Sequence, residues 1–294
     1  MKAKRALGLK NKYIFARAKK ALGQNFLKSE LALNKIIEAG EVDKEDVILE
    51  IGPGKGALTE KLLEQAGKVI AVEKDRELFE FLKDKFQQQI KSGSLVLVHD
   101  DILKFEFREK IYKIIANIPY NITGAILKKF LTARNQPALM VLMIQLEVAQ
   151  RILARDKKES ILSISVKAYG EPKMVMKVGA RYFSPPPKVD SAIVSIKGIS
   201  RKFFEQNKLN EEDFWEIVKT GFAHKRKKLS SNLKSSLGHR TTTLGHSSLG
   251  SSLTDNATGE PGEAKNFKNE QVTLSLGNKR AEDLSLADWI PLAK

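Results

Sequence analysis

The sequence "VILEIGPGKGALTEKLLEQAGKVIAVE" at residues 47–73 carries the clearest pattern of secondary structure in the chain. Its two short apolar runs, 47–51 and 68–73, predict buried strands, and residues 57–67 between them have helical spacing and end at a glycine. A strand, a helix and a second strand in this order form a unit whose strands run parallel. The sequence therefore predicts an α/β fold with a parallel sheet covered by helices.

The alternation continues outward from this stretch. We expect a helix over 75–90 and strands over 94–100 and 112–117, followed by a strand-rich part that includes 160–169 and 190–196. From about residue 201 the pattern becomes helical and basic, which predicts a second, smaller domain. Sheets of this kind bind their ligands outside the carboxyl ends of the strands.

The charge of the chain favours a polyanionic partner. The net charge is +16, and residues 1–20 carry eight Lys or Arg and no acid. Residues 217–254 carry seven Lys or Arg and again no acid. Because neutralising phosphates releases condensed counterions, these two clusters predict two contacts with a nucleic acid.

Several classes of protein are excluded by composition. The chain has no cysteine, and its four histidines do not stand at the spacing of metal ligands, so we expect no metal site. The longest apolar run, Ala138–Ile144, is far too short to span a membrane, and the basic N-terminus lacks the apolar region of a secretory signal. We expect a cytoplasmic protein without a membrane partner.

The glycine loop leaves more than one ligand open. Gly52, Gly54 and Gly56 follow the first strand, and Glu73 lies 21 residues after Gly52, where a carboxylate can accept both hydroxyls of a ribose. An ATP-binding loop fails, because Lys55 is not followed by Ser or Thr. A dinucleotide is doubtful, because the third glycine comes one residue early. S-adenosylmethionine has a ribose and no phosphate and therefore fits, but the loop alone indicates it no more strongly than NAD or a plain turn.

The turn "NIPY" at 117–120 favours adenine methylation. The lone pair of an adenine N6 amine is delocalised into the ring, and two acceptors against its two N–H bonds would free it. The Asn117 side-chain oxygen and the Ile118 carbonyl are candidates, and Pro119 can hold that carbonyl because its φ is fixed. Tyr120 can stack on a flipped base.

These motifs and their order resemble those of a known family, the KsgA-type small-subunit rRNA adenine N6-dimethyltransferases. The resemblance runs from about Lys19 to Lys234 and resumes near Arg280. It rests on "LGQNFL" (22–27), "EIGPGKGALT" (50–59), "VEKD" (72–75), "HDDIL" (99–103), "NIPY" (117–120), "FSPPPKVDSA" (183–192) and "FAHKRKKLSSNL" (222–233).

The resemblance implies a Rossmann-like, S-adenosylmethionine-dependent methyltransferase domain with a small helical C-terminal domain. We assign a basic tail to 1–20, the methyltransferase domain to 21–200 and a helical RNA-binding domain to 201–294. Residues 235–266 are rich in Ser, Thr and Gly and too poor in apolar surface to fold, so we expect a disordered insertion there. A compact helical segment is usual in the family at that place.

The resemblance also implies roles for single residues. Asn25 and Leu27 would close over the methionine end of the cofactor, Gly52 and Gly54 would line its loop, and Glu73 would take its ribose. Asp101 would accept from its adenine amine, although the adjacent Asp100 could compete. Asn117 would touch both cofactor and target, and Phe183 would stack on the target adenine opposite Tyr120.

The implied activity is the dimethylation of two adjacent adenines near the 3′ end of small-subunit rRNA, coupled to ribosome biogenesis. The expected partner is that rRNA in an assembling ribosomal subunit, bound by a monomer. The run of Lys225, Arg226, Lys227 and Lys228 follows a segment with helical spacing, so it should lie near the start of the next helix or loop. It has no interleaved aromatic and should contact phosphates. Alternatives are a large-subunit rRNA methyltransferase of the erythromycin-resistance type, or a non-catalytic ribosome-assembly or mitochondrial transcription factor on the same fold.

Overall fold

The computed structural model describes Lys19 and residues 22–233 and 279–294. The chain divides into two compact units. Unit 1 comprises Met1–Leu153 and Tyr169–Ser200, and unit 2 comprises Ala154–Ala168 and Arg201–Lys294. The predicted basic tail, apart from Lys19, and the predicted insertion at 235–266 lie outside the described residues.

A seven-stranded sheet forms the centre of unit 1, and a two-stranded sheet stands beside it. The strands are β1 Phe26–Leu27, β2 Val47–Ile51, β3 Lys68–Glu73, β4 Leu95–His99, β5 Lys113–Asn117, β6 Leu139–Gln145, β7 Glu171–Val178, β8 Phe183–Ser184 and β9 Ser191–Lys197. The large sheet has the order β4-β3-β2-β5-β6-β9-β7, and β1 pairs with β8. The first five strands in that order are parallel, whereas β9 and β7 are antiparallel to their neighbours. The predicted parallel α/β sheet is confirmed, with an antiparallel edge.

The strands at the centre of the sheet are buried on both faces. Every residue of β3 after Lys68, and every residue of β6 before Gln145, is buried. Because consecutive residues of a strand point to opposite faces, unbroken burial requires a covering layer on each side. Strand β7 at the edge is exposed or half-buried except for its last residue, Val178, and its weak apolar pattern did not predict it.

Helices α1–α6 cover this sheet. They span α1 Glu30–Ala39, α2 Ala57–Gln65, α3 Arg76–Lys85, α4 Gln87–Ser92, α5 Thr123–Leu131 and α6 Leu146–Leu153. Ser29 caps α1, because its side chain accepts from the Ala32 N–H. The single helix predicted over 75–90 was wrong at one point: Phe86 leaves helical geometry (φ −106°, ψ 29°) and separates α3 from α4.

The strand predicted at 160–169 was also wrong, because residues Ile161–Lys167 form helix α7. The alternation of Leu162, Ile164 and Val166 is typical of a strand. Here, however, the Ser160 hydroxyl accepts from the Ser163 N–H, and the Ser163 hydroxyl accepts from the Ser160 N–H. This reciprocal cap satisfies two N–H groups of the first turn and begins a helix.

The described part of unit 2 is helical. Besides α7 it contains α8 Lys202–Asn207, α9 Glu211–Gly221, a helical turn at 229–233 and two short 3₁₀ helices, Ala281–Asp283 and Leu286–Trp289. Trp289 is fully buried and stacks on Phe222, with ring centroids 5.5 Å apart. None of the helices in the described residues is long and apolar enough to span a bilayer.

Candidate active site

A cavity of about 370 Å³ lies at the carboxyl ends of four adjacent strands of unit 1. Gly52 follows β2, Glu73 ends β3, Asp101 follows β4 and Asn117 ends β5. The structure therefore brings together residues that are distant in the sequence, such as Asn25 and Asn117, which are 92 positions apart. The predicted site residues that line this cavity are Asn25, Leu27, Gly52, Gly54, Glu73, Asp101, Asn117, Ile118 and Tyr120.

The glycine loop forms one wall of the cavity. Gly52 and Gly54 have φ values of +63° and +61°, which L side chains rarely adopt. A Cβ atom on Gly54 would also stand 3.1 Å from the Phe26 ring. The loop therefore offers bare backbone to a ligand, as a nucleoside-containing cofactor requires.

Glu73 is buried and already holds the loop together. Its two carboxylate oxygens accept from the Gly54 N–H at 3.1 Å and from the Asp75 N–H at 2.8 Å. Burial raises the pKa of Glu73, and the two backbone donors oppose that shift. A carboxylate has about four lone-pair sites, so acceptor capacity remains for ribose hydroxyls.

Glu50 also lines the cavity, and sequence reasoning missed it. Its side chain is 1% exposed, and its Oε2 atom has no hydrogen-bond partner among the described residues. Burial raises the pKa of Glu50 to about 8. The sequence does contain a signal that could have identified Glu50, because an acid stands inside an apolar strand directly before the glycine loop. A buried polar atom without a partner beside the cavity fits a bound ligand that would supply one.

Asp101 is held as an ionised acceptor. Its Oδ2 pairs with Lys74 Nζ at 2.8 Å, and its Oδ1 accepts from the Leu103 N–H at 3.0 Å. The hydrogen bond from Lys74 holds the pKa of Asp101 below its usual value. The neighbouring Asp100 also lines the cavity and accepts from the Asp101 N–H.

The turn at 117–120 fixes the orientation of one amide. Asn117 Nδ2 donates to the Asn25 carbonyl at 3.1 Å, which leaves Asn117 Oδ1 available as an acceptor. Pro119 has φ −58° and ψ 131° and leads into the 3₁₀ turn Tyr120–Ile122. The strand thus ends in a turn whose first residues, Asn117 and Ile118, both line the cavity.

The two predicted aromatic contacts differ in position. Tyr120 is half-buried at the cavity, and its hydroxyl lies 2.6 Å from Ser191 Oγ. Phe183 is 1% exposed, packs in the hydrophobic core and does not line the cavity, whereas its neighbour Ser184 does. Stacking of a base on the Phe183 ring therefore requires a local movement.

The segment that contains Asn25 is tied to the sheet through Asp75. Gln24 Nε2 and Lys19 Nζ each donate to the Asp75 carboxylate at 3.0 Å. Burial alone would raise the pKa of Asp75, but these donors outweigh it and the pKa lies below its usual value. Gln24 of "LGQNFL" thus contacts Asp75 of "VEKD", so the structure joins these two motifs.

The basic run lies in unit 2, in the loop between α9 and the turn at 229–233. Lys225, Arg226, Lys227 and Lys228 are exposed, as predicted for a loop or the start of a helix. The buried Asn232 holds this loop, because its Nδ2 donates to the Gly221 carbonyl at 2.6 Å and to the His224 carbonyl at 3.2 Å. Within the described ranges, no group of three or more His, Asp or Glu side chains could hold a metal ion.

The chain is similar to proteins of known structure and known family. A solved dimethyladenosine transferase from Plasmodium falciparum superposes with a TM-score of 0.72 at 30% identity, and the match covers 91% of this chain and 95% of that one. Such a fold, with this cavity at the carboxyl ends of the strands, defines the class as S-adenosylmethionine-dependent methyltransferases.

The family model described as ribosomal RNA adenine dimethylase matches residues 15–262. A ribosomal RNA small subunit methyltransferase A from Dehalococcoides mccartyi (strain CBDB1) is 43% identical over 227 residues, 76% of each chain. Another from Fusobacterium nucleatum is 38% identical over 282 residues, 94% of this chain and 96% of the relative. The chain belongs to the ribosomal RNA adenine dimethylase family.

Proposed function

We propose that this protein transfers methyl groups to the N6 amines of two adjacent adenines near the 3′ end of small-subunit rRNA. The observation that carries the proposal is the amide of Asn117, which is oriented by the Asn25 carbonyl so that its oxygen is available at the cavity. Family membership and the names of the relatives, which refer to the small ribosomal subunit, support the substrate.

The residues of the turn account for activation of the target nitrogen. Asn117 Oδ1 and the Ile118 carbonyl would accept the two N6–H bonds and favour a pyramidal nitrogen whose lone pair is free. Pro119 donates no backbone N–H and restricts the turn, so the two acceptors keep their spacing. For the second methylation only one N–H remains, and one acceptor suffices.

The cavity residues would hold the cofactor, S-adenosylmethionine, which supplies an electrophilic methyl group when it is bound. Glu73 would take the ribose hydroxyls and Asp101 the adenine amine, while Asn25 and Leu27 would contact the methionine end. The bare backbone of the glycine loop, with its positive φ values, supports this assignment.

Two aromatic residues would contact the target base. Tyr120 lies at the cavity with its hydroxyl fixed by Ser191, so its ring can support a flipped adenine. Phe183 would serve the opposite face only after its buried ring has moved toward the cavity.

Unit 2 would contribute a sequence-independent contact with RNA. The exposed loop Lys225–Lys228 carries four positive charges, and no acid of the described residues pairs with them. We further propose that the partner is a small subunit during assembly, that the protein acts as a monomer and that it works in the cytoplasm.

Methyl incorporation into separated ribosomal subunits tests the proposal. Unmethylated small subunits and large subunits are each incubated with the protein and S-adenosylmethionine labelled in its methyl group. Label should enter the small-subunit rRNA alone. Label in the large subunit would support the erythromycin-resistance type, and label in neither would support a non-catalytic assembly factor.

A further inference from the structure

An exposed aromatic residue stands beside the cavity. Tyr182 is 39% exposed at the end of the 3₁₀ helix Ala180–Tyr182, directly before the buried Phe183. The Arg181 guanidinium carbon lies 5.0 Å from the centroid of the Tyr182 ring, and Arg181 Nη2 donates to the Tyr182 hydroxyl at 3.1 Å. These two side chains therefore brace each other in a fixed arrangement on the surface.

The backbone under this pair is held firmly. The Tyr182 carbonyl accepts from the Lys28 N–H at 2.8 Å, and the Tyr182 N–H donates to the Gly179 carbonyl at 3.1 Å. The Ala180 N–H donates to Asp190 Oδ1 at 3.0 Å. A rigid platform loses little conformational entropy when a ligand binds to it.

The pair lies next to the proposed target site. Strand β8 pairs with β1 so that Ser184 stands opposite Phe26 and Phe183 opposite Leu27. Both Ser184 and Lys28 line the cavity. Tyr182 is therefore two residues along the chain from one cavity residue and hydrogen-bonded to another.

The charges around the pair favour a phosphate backbone. Lys28, Arg181 and Lys188 are all exposed. Two acids of this region are paired with other lysines: Lys177 Nζ lies 2.8 Å from Asp190 Oδ2, and Lys61 Nζ lies 3.5 Å from Glu30 Oε2. An aromatic ring bordered by cations is the arrangement on which single-stranded nucleic acids stack their bases.

We propose that Tyr182, braced by Arg181, stacks on the nucleotide that adjoins the target adenine in single-stranded RNA. The inference rests on the proposed function, in which the target is one of two adjacent adenines and its neighbour must be placed while the first is in the cavity. Stacking accepts every base, because each has an aromatic face. Tyr182 thus holds the strand in register and leaves base selection to the turn at 117–120.

Fluorescence quenching of a modified base tests the stacking directly. The probe is a short single-stranded oligoribonucleotide with two adjacent adenines, one of which is replaced by 2-aminopurine, whose emission falls when it is stacked. The wild-type protein should quench the probe without any methyl transfer. Tyr182→Ala should bind about tenfold more weakly and lose the quenching, whereas Tyr182→Phe should retain both.

Ile111→Ala is the matched control, because it also removes an exposed apolar side chain: Ile111 is 81% exposed. Ile111 lies before the start of β5, whereas the end of β5 forms the site. On small subunits, Tyr182→Ala should raise KM and leave kcat nearly unchanged. The inference is overturned if Tyr182→Ala quenches the probe as strongly as the wild-type protein does. It is also overturned if the wild-type protein does not quench the probe. Wild-type quenching without methylation of small subunits would instead count against the proposed function alone.

Discussion

At the scale of single residues, one hydrogen bond decides what the Asn117 amide offers to a substrate. Its nitrogen is used by the Asn25 carbonyl, so its oxygen is the atom left for an adenine amine. Neither residue is charged, and no strong general base is needed, because the methylated nitrogen becomes acidic and loses its proton afterwards. The same bond joins the N-terminal segment to the end of β5, so the acceptor is in place before RNA arrives.

Asn117→Ala should lower the rate of methyl transfer by about a hundredfold or more, as expected when a positioned polar group is removed. Single-turnover kinetics at saturating cofactor separate this loss from weaker binding of the cofactor. The urea midpoint of the variant is the control for folding. A single-turnover rate close to that of wild type would contradict the role of this amide.

Glu50 should make stability depend on pH. Burial raises its pKa from 4.5 to about 8, so between these values the folded protein holds a proton that the unfolded chain has released. The free energy of unfolding should therefore fall as pH rises through this window, by up to about 1.4 kcal/mol per pH unit.

Glu50→Gln keeps the shape and cannot ionise, so this variant should lose most of the fall. Glu73 has its pKa raised as well and should leave a smaller slope of the same sign. Urea unfolding at several pH values between about 5 and 8 measures both proteins. Identical slopes for the two proteins would show that Glu50 does not carry the effect.

Motif residues were easier to predict than the residues that support them. The glycine loop, Glu73 and the turn at 117–120 stand next to strand ends in the sequence, so their meeting at one edge follows from a parallel sheet. Gln24 and Asp75, which share a partly buried hydrogen bond, are 51 residues apart in the sequence, and nothing in local spacing indicates this contact. Burial of Phe183 depends on pairing of β8 with β1, two strands of two residues each that have no sequence signal of their own.

At the scale of the elements, a helix cap determined the structure of one segment more strongly than the alternation of its apolar residues. The reciprocal cap of Ser160 and Ser163 made a helix of a segment whose alternation indicated a strand. The break at Phe86 has a different cause, because its buried ring packs against the start of α2. Such a tertiary contact cannot be read from the helical spacing of 75–90.

Gly56→Ala should destabilise the protein more than an alanine at an uncrowded glycine with positive φ would. Gly56 has φ +77°, and a Cβ atom there would stand 2.6 Å from Phe86 Cε2. Strained backbone and overpacking together should lower the free energy of unfolding by about 2–4 kcal/mol. Gly93→Ala is the matched control, since Gly93 has φ +80° but no atom within 4 Å of the added Cβ.

Gly93→Ala should therefore show the backbone cost alone, about 1 kcal/mol. Urea unfolding of both variants gives the comparison. If Gly56→Ala costs no more than Gly93→Ala, the close packing of Phe86 on the glycine loop does not contribute to stability.

At the scale of the whole molecule, the candidate active site and the basic loop belong to different units. The cavity and its turn belong to unit 1, whereas the basic loop Lys225–Lys228 belongs to unit 2. The sequence indicated this separation, because the βαβ alternation stops near residue 201 and the acid-free run lies beyond it. It did not indicate that residues 154–168 belong to unit 2, since their chain neighbours are all in unit 1.

Neutralising Lys225, Arg226, Lys227 and Lys228 together should weaken RNA binding steeply at low salt. Each phosphate contact contributes about 0.7–0.9 to the slope of log K against log salt, so the slope should flatten by about 2–4 units. Titration with small-subunit rRNA at several salt concentrations measures it, and calorimetry should show an unchanged affinity for S-adenosylmethionine.

A control with the same change in charge neutralises the exposed Lys83, Lys91, Arg108 and Lys110 of unit 1. These residues lie away from the basic loop in the sequence and should alter the slope far less. An unaltered slope in the loop variant would mean that Lys225–Lys228 remain in solvent when RNA is bound and that other cations hold the RNA.

The most direct test of the account identifies the product. Small subunits that lack the modification are incubated with the protein and S-adenosylmethionine, and their rRNA is digested and analysed by mass spectrometry. The wild-type protein should produce two N6,N6-dimethyladenosines per rRNA molecule, adjacent and near the 3′ end, and Asn117→Ala should produce none in the same short time. Unmodified adenines at both positions after incubation with the wild-type protein would contradict it.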